Sequence, residues 1–332
     1  MATVLYPERM YPDDTEERRI FGPGTSVIMR DVASLAELSD EDCAAADGLM
    51  IFRFWLGEAD FARFPKLRAV VRMGVGYDRI DRPVAAKRGV TVCNVPDYGT
   101  TEVADHAISL ALALSRGLIH HHERQRSATP DWSVIKDPAI RRFGSTIFGI
   151  LGLGRIGTAV ALRAKALGFH VIFYDPNLPN GAELAVGIAR APSLSALLTQ
   201  SNILSVHTPL TRDTAGMLGA AEFAALPRGA VLVNTARGRT MDFDALEQAL
   251  RSGQLSAAGL DVMPQEPPTE PLPSLLRAYR SRDPALEGRL IVTPHSAFWT
   301  PDAECDIRIK SAETMAAALG NHPVNVIRPE DQ

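Results

Sequence analysis

The chain has 332 residues, a net charge of −4, 46% hydrophobic residues and three cysteines. The length suggests about two domains with ample cores, and the mild acidity gives no reason to expect nucleic acid or an anionic membrane as partner. Cys43, Cys93 and Cys305 lack metal or redox spacing, no basic-then-apolar leader is visible, and no apolar run could span a bilayer, so the reading is a cytoplasmic protein with reduced thiols and no metal.

Short apolar runs alternate with helical patterns from the start. Val4 to Tyr6 and Val27 to Met29 are predicted strands, separated by the poorly legible piece Tyr11 to Gly24. Leu35 to Ala46 is a predicted helix, Leu49 to Phe52 a strand and Phe61 to Phe64 a short helical piece. Ala69 to Arg72 and Val90 to Asn94 are further strands, so a parallel sheet covered by helices is expected. Thr100 to Gln125 is a long helical pattern with Glu102 in its first turn. It is apolar on most faces and should be buried between domains or in a subunit contact. Ser127 to Arg142 is loop-like.

The densest signal runs from Ser145 to Asp175. A strand, Thr146 to Ile150, leads into Gly152, Gly154 and Gly157, spaced G-x-G-x-x-G. A helix over Arg155 to Leu167 stops at Gly168, and a strand over Val171 to Tyr174 ends in Asp175. Gly152 permits the tight turn, Gly154 lets a pyrophosphate approach the backbone, and Gly157 lets the helix lie close to the strand. The N–H groups at the helix start, at Arg155 and Ile156, favour an anion. Asp175 can accept hydrogen bonds from an adenosine ribose and would repel a 2′-phosphate. No Arg or Lys follows until Arg190, so NAD is expected rather than NADP.

Helices are predicted next at Leu194 to Leu198, Ala221 to Ala225, Phe243 to Arg251 and Ala303 to Leu319. Strands are predicted at Ile203 to His207, Ala230 to Asn234, Ala257 to Val262 and Leu290 to Thr293. Open parallel sheets bind ligands at strand carboxyl ends, and polar groups gather there: Asp175, His207 and Thr208, the run Thr235-Ala236-Arg237, Asp261 and His295. Arg237, Glu266 and His295 each follow a predicted strand directly or by a short loop. His120, His121 and His122 are consecutive and do not share a helix face, so a solvated or subunit-contact helix end is expected there.

On these motifs the chain resembles the D-isomer-specific 2-hydroxyacid dehydrogenases, most closely the C-terminal-binding-protein and phosphoglycerate-dehydrogenase-like branch. The matching runs are RMGVGYDRID (from Arg72), CNVPDYGTTEVADHA (from Cys93), the glycine stretch (from Gly149), VHTPLT, LVNTARG, LDVMPQEPP and TPHSAF, in the family's order; the first few dozen residues match poorly. The resemblance implies two flavodoxin/Rossmann-like, doubly wound parallel-sheet domains with a cleft between them. The substrate domain would comprise 1–117 and 299–332, and the NAD domain 118–298. Arg237 would clamp the substrate carboxylate and polarise the carbonyl, His295 would be general acid and base, and Glu266 would fix its tautomer and favour its protonated form. Asp261 would meet the nicotinamide carboxamide, while His207, Thr208, Thr235, Ala236, His295 and Ala297 would line the NAD. Val75 and Gly76 would offer N–H groups to the substrate carboxylate, and Phe298 and Trp299 could shape the substrate side.

Two arginines extend this picture. Arg53 and Arg72 end strands that border the cleft in the resembling family, so the expected substrate carries a second anionic or strongly polar group; the alternative is that one of them pairs with a nearby acid. Leu275 to Arg282 is an extra basic piece, read as a surface loop in preference to a short helix over the cleft or at a dimer contact. The regulatory C-terminal domain of some phosphoglycerate dehydrogenases is not expected. The reading is therefore an NAD-dependent oxidoreductase acting on a small 2-keto or 2-hydroxy acid, working as a homodimer. Formate dehydrogenase, which pairs its histidine with glutamine, fits Glu266 less well. An NAD-sensing corepressor-like binding protein is the alternative from another class.

Overall fold

All twelve strands among the described residues lie in two parallel sheets, which require helical crossovers and are therefore covered on both faces. The computed structural model describes residues 1–329. It divides into two units: Met1–Gly99 with the chain from Trp299 onward, and Thr100–Phe298.

The first unit holds β1 (Ala2–Tyr6), β2 (Thr25–Met29), β3 (Gly48–Ile51), β4 (Ala69–Arg72) and β5 (Thr91–Asn94) in the order β2-β1-β3-β4-β5. Its core packs Leu5, Leu49, Ile51, Phe61 and Val70, each at most 1% exposed. The piece Tyr11 to Gly24 contains a helix, Thr15–Phe21, whose Glu17 is fully buried. Arg308, on the helix Pro301–Leu319, satisfies that carboxylate at 2.7 Å and also binds Asp13 at 2.9 Å. The stabilising partner comes from the far end of the sequence, so no local pattern announces this helix. The single helix expected over Leu35 to Ala46 is instead a 3-10 turn, Leu35–Glu37, and a helix, Asp40–Ala45. Ser39 separates them as an N-cap, its side chain accepting from the Asp42 N–H.

The second unit holds β6 (Ile147–Leu151), β7 (His170–Tyr174), β8 (Ala189–Arg190), β9 (Ile203–Val206), β10 (Ala230–Asn234), β11 (Leu255–Leu260) and β12 (Leu290–Val292). The order is β12-β11-β10-β9-β6-β7-β8. Phe148 and Phe173 are fully buried on this sheet; truncating either to alanine should cost about 3–5 kcal/mol. Chain order reverses between β6 and β9, where Leu151 and Val206 pair in register. A doubly wound sheet opens its ligand crevice at that point.

The long helix expected from Thr100 breaks at Gly117, whose left-handed backbone (φ 60°) ends Thr100–Ser115 and starts Leu118–Arg126. The first helix packs on the helix Arg155–Ala166 and on β10 and β11. Gly259 on β11 admits it, since a Cβ there would lie 3.0 Å from Leu110 Cβ. The cover that the sequence reading sought between domains or from another subunit is supplied within this unit, so Thr100–Ser115 belongs here and not with residues 1–99. The basic piece read as a surface loop is also a helix, Ser274–Arg280, with Leu275 and Leu276 buried in the core against Leu246 and Leu250. No helix among the described residues is long and apolar enough to cross a membrane.

Candidate active site

The turn after β6 is shaped by missing side chains. Gly152 takes φ +90° and lies so close to the end of β9 that a Cβ would meet the His207 carbonyl at 3.0 Å and the Thr208 methyl at 3.1 Å. A Cβ on Gly157 would fall 2.1 Å from the Gly152 carbonyl oxygen, so only glycine lets the helix Arg155–Ala166 start so close to the turn. Gly154, at the N-cap, faces open space, with nothing within 4 Å of where a Cβ would stand. Arg155 and Ile156 follow as the first helical residues.

Asp175 closes this turn from the β7 side. Its carboxylate accepts from Leu153 N–H and from Asn177 N–H, both at 2.9 Å, which ties the acid to the glycine turn. His207 binds Ser205 Oγ through Nε2 at 2.8 Å. Burial pushes its imidazole down to about 3, so it stands neutral beside the turn. The hydroxyls of Thr208 and Thr235 are buried and have no partner among the described residues. A buried hydroxyl without a partner costs stability unless a ligand or water meets it. An open glycine N-cap, a helix start and two unmet hydroxyls at neighbouring strand ends are what a pyrophosphate-bearing dinucleotide needs.

The loops after β10, β11 and β12 converge next. Asn234, fully buried at the end of β10, accepts from Ala236 N–H at 2.8 Å and donates to the Arg237 carbonyl at 3.0 Å. This folds the loop so that Arg237 precedes a 3-10 turn, Gly238–Thr240. Gly238 presses on the β11 loop; a Cβ there would fall 2.1 Å from the Met263 carbonyl carbon. That close approach brings the Arg237 charge to Glu266. Glu266 accepts from Met263 N–H at 2.9 Å and from His295 Nδ1 at 2.6 Å. Burial pushes the Glu266 carboxyl up, but the His295 hydrogen bond and charge, the Met263 N–H and Arg237 outweigh it and hold it below the usual glutamate range. With Nδ1 engaged, His295 Nε2 is the atom left for a ligand. Arg237, Glu266 and His295, read separately from the sequence, thus form one cluster. Phe298 stands edge-on to the His295 ring, 6.5 Å between centroids, while Trp299 lies in the other unit and donates to Glu304.

His295 itself sits at φ 53°, a strained conformation for a non-glycine residue. Asp261 holds it there. The Asp261 carbonyl accepts from His295 N–H at 2.8 Å, and its carboxylate accepts from Thr293 Oγ–H at 2.6 Å, Ser296 N–H at 2.9 Å and Ala297 N–H at 3.0 Å. The sequence reading gave Asp261 to a nicotinamide carboxamide. Its side chain is shut off from solvent and holds the Ser296 and Ala297 N–H groups of the His295 loop. Behind it, His106 Nε2 lies 3.0 Å from Thr293 Oγ. The Thr293 hydroxyl has one proton and gives it to Asp261, so His106 is the donor to Thr293. His106 and Thr293 were missed because nothing local links a helix histidine to a strand end 187 residues away.

In the first unit, chain order reverses between β1 and β3, and Glu8 accepts from the Phe52 and Arg53 N–H groups there. Arg53 is largely exposed and pairs with Glu8 at 3.4 Å, the alternative the sequence had left open. Arg72 is buried and folds over the following turn: its Nη1 donates to the Met73 carbonyl at 3.0 Å and lies 1.4 Å from where a Gly74 Cβ would stand. The guanidinium carbons of Arg53 and Arg72 are 5.8 and 5.7 Å from the Phe52 ring centre. The Val75 and Gly76 N–H groups make no hydrogen bond among the described residues, leaving two donors beside the Arg72 charge.

Comparisons with known proteins give the family. Residues 108–297 match the family model for the NAD binding domain of the D-isomer specific 2-hydroxyacid dehydrogenases. A glyoxylate reductase of Korarchaeum cryptofilum is 36% identical over 281 residues, covering 81% of this chain and 79% of its own. A D-3-phosphoglycerate dehydrogenase of Mycobacterium leprae is 35% identical over 309 residues, which span 92% of this chain but 53% of that longer protein. The crystal structure of the Aquifex aeolicus D-lactate dehydrogenase, complexed with NAD and lactic acid, matches with a TM-score of 0.81 at 25% identity over 96% of both chains. The chain is therefore an NAD-dependent enzyme and belongs to the D-isomer-specific 2-hydroxyacid dehydrogenase family.

Proposed function

We propose that the chain interconverts a small 2-keto acid and its D-2-hydroxy acid. The observation that carries this reading is the 2.6 Å contact between His295 Nδ1 and Glu266, set beside the Arg237 charge. Bound NADH supplies a hydride at its nicotinamide. Arg237 grips the substrate carboxylate with a charge-assisted pair and orients the carbonyl. His295 delivers a proton from Nε2 to the carbonyl oxygen as the alkoxide charge develops, and accepts it back in oxidation. Glu266 keeps Nδ1 protonated and balances the imidazolium. Gly152, Gly154, Gly157, Arg155 and Ile156 would seat the pyrophosphate, Asp175 the adenosine ribose, and Thr208, Thr235 and Ala236 the nicotinamide half.

Arg72, with the Val75 and Gly76 N–H groups, offers an anion site on the first unit. This supports an anionic substrate. Arg53, exposed and paired with Glu8, contributes less. We further place the protein in the cytoplasm as a homodimer, a second copy covering the exposed Leu118, Trp132 and Val134. The test is NADH oxidation across a panel holding glyoxylate, hydroxypyruvate, phosphohydroxypyruvate and branched keto acids, with His295→Ala as the blank. Turnover of at least one acid, lost in the blank, is expected. Equal rates in both proteins would end the proposal.

A further inference from the structure

The residue count from Asp175 to Arg190 suggested that no cation stands near the acid. The fold brings one there. β8 pairs with β7 so that Arg190 lies opposite Phe173, and its guanidinium carbon sits 4.9 Å from the Phe173 ring centre. From that shelf it reaches across the loop that begins at Asp175. Nη1 donates to the Asp175 and Leu178 carbonyls, both at 3.3 Å, and Nη2 donates to the Pro179 carbonyl at 2.7 Å. Nε donates to Glu183 at 3.0 Å. A guanidinium has five N–H donors, so four are consumed by this one loop.

Two opposite roles are open to an arginine in this place. Free, it would meet the 2′-phosphate of NADP. Pinned, it is a strut that holds the loop and leaves the field at Asp175 negative. The bonds decide for the strut. Glu183 neutralises the cation, three carbonyls take three more of its donors, and the Asp175 carboxylate is fixed by the Leu153 and Asn177 N–H groups. We infer that Arg190, held by Glu183, is a positioning residue that fixes the Asp175 loop for the adenosine ribose of NAD and is withheld from a 2′-phosphate. This inference rests on the NAD reading of the glycine turn and adds the residues, Arg190 and Glu183, that hold the Asp175 loop in place.

The test measures dissociation constants by protein fluorescence for NADH, NADPH and reduced nicotinamide mononucleotide, which lacks the adenosine half. Wild-type protein should bind NADH at least tenfold more tightly than NADPH. Arg190→Ala should weaken NADH about tenfold, the equivalent of losing one good hydrogen bond's worth of order, and leave the mononucleotide unchanged. Arg190→Lys should recover part of the loss. Glu183→Gln, a milder change, should weaken NADH in the same direction and guards against a misfolded alanine variant. Unchanged NADH binding in both Arg190→Ala and Glu183→Gln would overturn the inference. So would equal weakening of dinucleotide and mononucleotide, which marks general damage, or a selective loss of NADPH, which would make Arg190 a phosphate ligand. Wild-type protein that binds neither dinucleotide would remove the NAD reading itself, a result distinct from all of these.

Discussion

Two strand-end loops of the second unit reach their shapes by opposite means. The turn after β6 is shaped by the absence of side chains: a Cβ on Gly157 would collide with the Gly152 carbonyl, and Gly152, at φ +90°, leaves a Cβ only a tight 3.0 Å from the His207 carbonyl. The loop after β12 is shaped by one buried carboxylate, Asp261, which ties Thr293, Ser296 and Ala297 and holds His295 at positive φ. In the proposed function the first loop would seat a ligand and the second would aim a proton donor. Steric shaping is local and leaves a motif. Electrostatic shaping depends on partners that are remote in the chain.

The comparison is sharpest where the two loops should fail differently. His295→Ala should lower kcat by about 10²–10⁴-fold while NADH binding survives. Gly157→Ala should do the reverse first: a methyl 2.1 Å from the Gly152 oxygen forces the helix off the turn, and NADH affinity falls before any chemistry is measured. If both variants lost NADH binding to the same extent, the two loops would not be separable.

A smaller effect is expected one layer back. Thr293→Val removes the hydroxyl between His106 and Asp261 and strands a half-buried donor, which should cost about 1–3 kcal/mol. Denaturant melts would report that loss. If the carboxylate aims His295 through this contact, kcat should fall with little change in the Kd for NADH, and Thr293→Ser should restore it. A Thr293→Ser protein as slow as Thr293→Val would break the claim that the hydroxyl matters.

The smallest effect is a slope. His207, on the glycine-turn side, is pushed down to about 3 from an ordinary 6.5 by burial. Below 6.5 the unfolded chain takes up a proton that the folded chain refuses. Stability is thus whole above 6.5 and drains as pH falls toward 3, by up to about 1.4 kcal/mol per pH unit. Glu266, held below its usual range, acts with the same sign but only at lower pH. Urea midpoints between pH 7.5 and 5 should therefore fall more steeply in wild type than in His207→Asn; parallel lines would assign the slope elsewhere.

The same contrast explains what could be read in advance. The βαβ unit from β6 to Asp175 was legible because strand, turn and helix are contiguous and each glycine has a steric reason. Arg237, Glu266 and His295 were legible because each follows a strand end by a short distance. The helix Thr15–Phe21 was not, since its buried Glu17 is answered by Arg308 nearly three hundred residues later. The break at Gly117 was not, since apolar periodicity carries no sign of a left-handed residue. The place of Arg190 is not legible either, because the pairing of β8 with β7 brings it back to Asp175 across fifteen residues of chain. Ser274–Arg280 was misjudged because its charged residues hid two core leucines.

Arg72 and Gly74 carry one last consequence. The guanidinium occupies the volume that a side chain at position 74 would need. The two positions therefore act as a single genetic locus: a methyl admitted at one must evict the cation at the other. Their substitutions should be strongly non-additive. A mutational library that tests the proposed anion site has to vary both together, because a scan of position 74 alone would report on a displaced arginine.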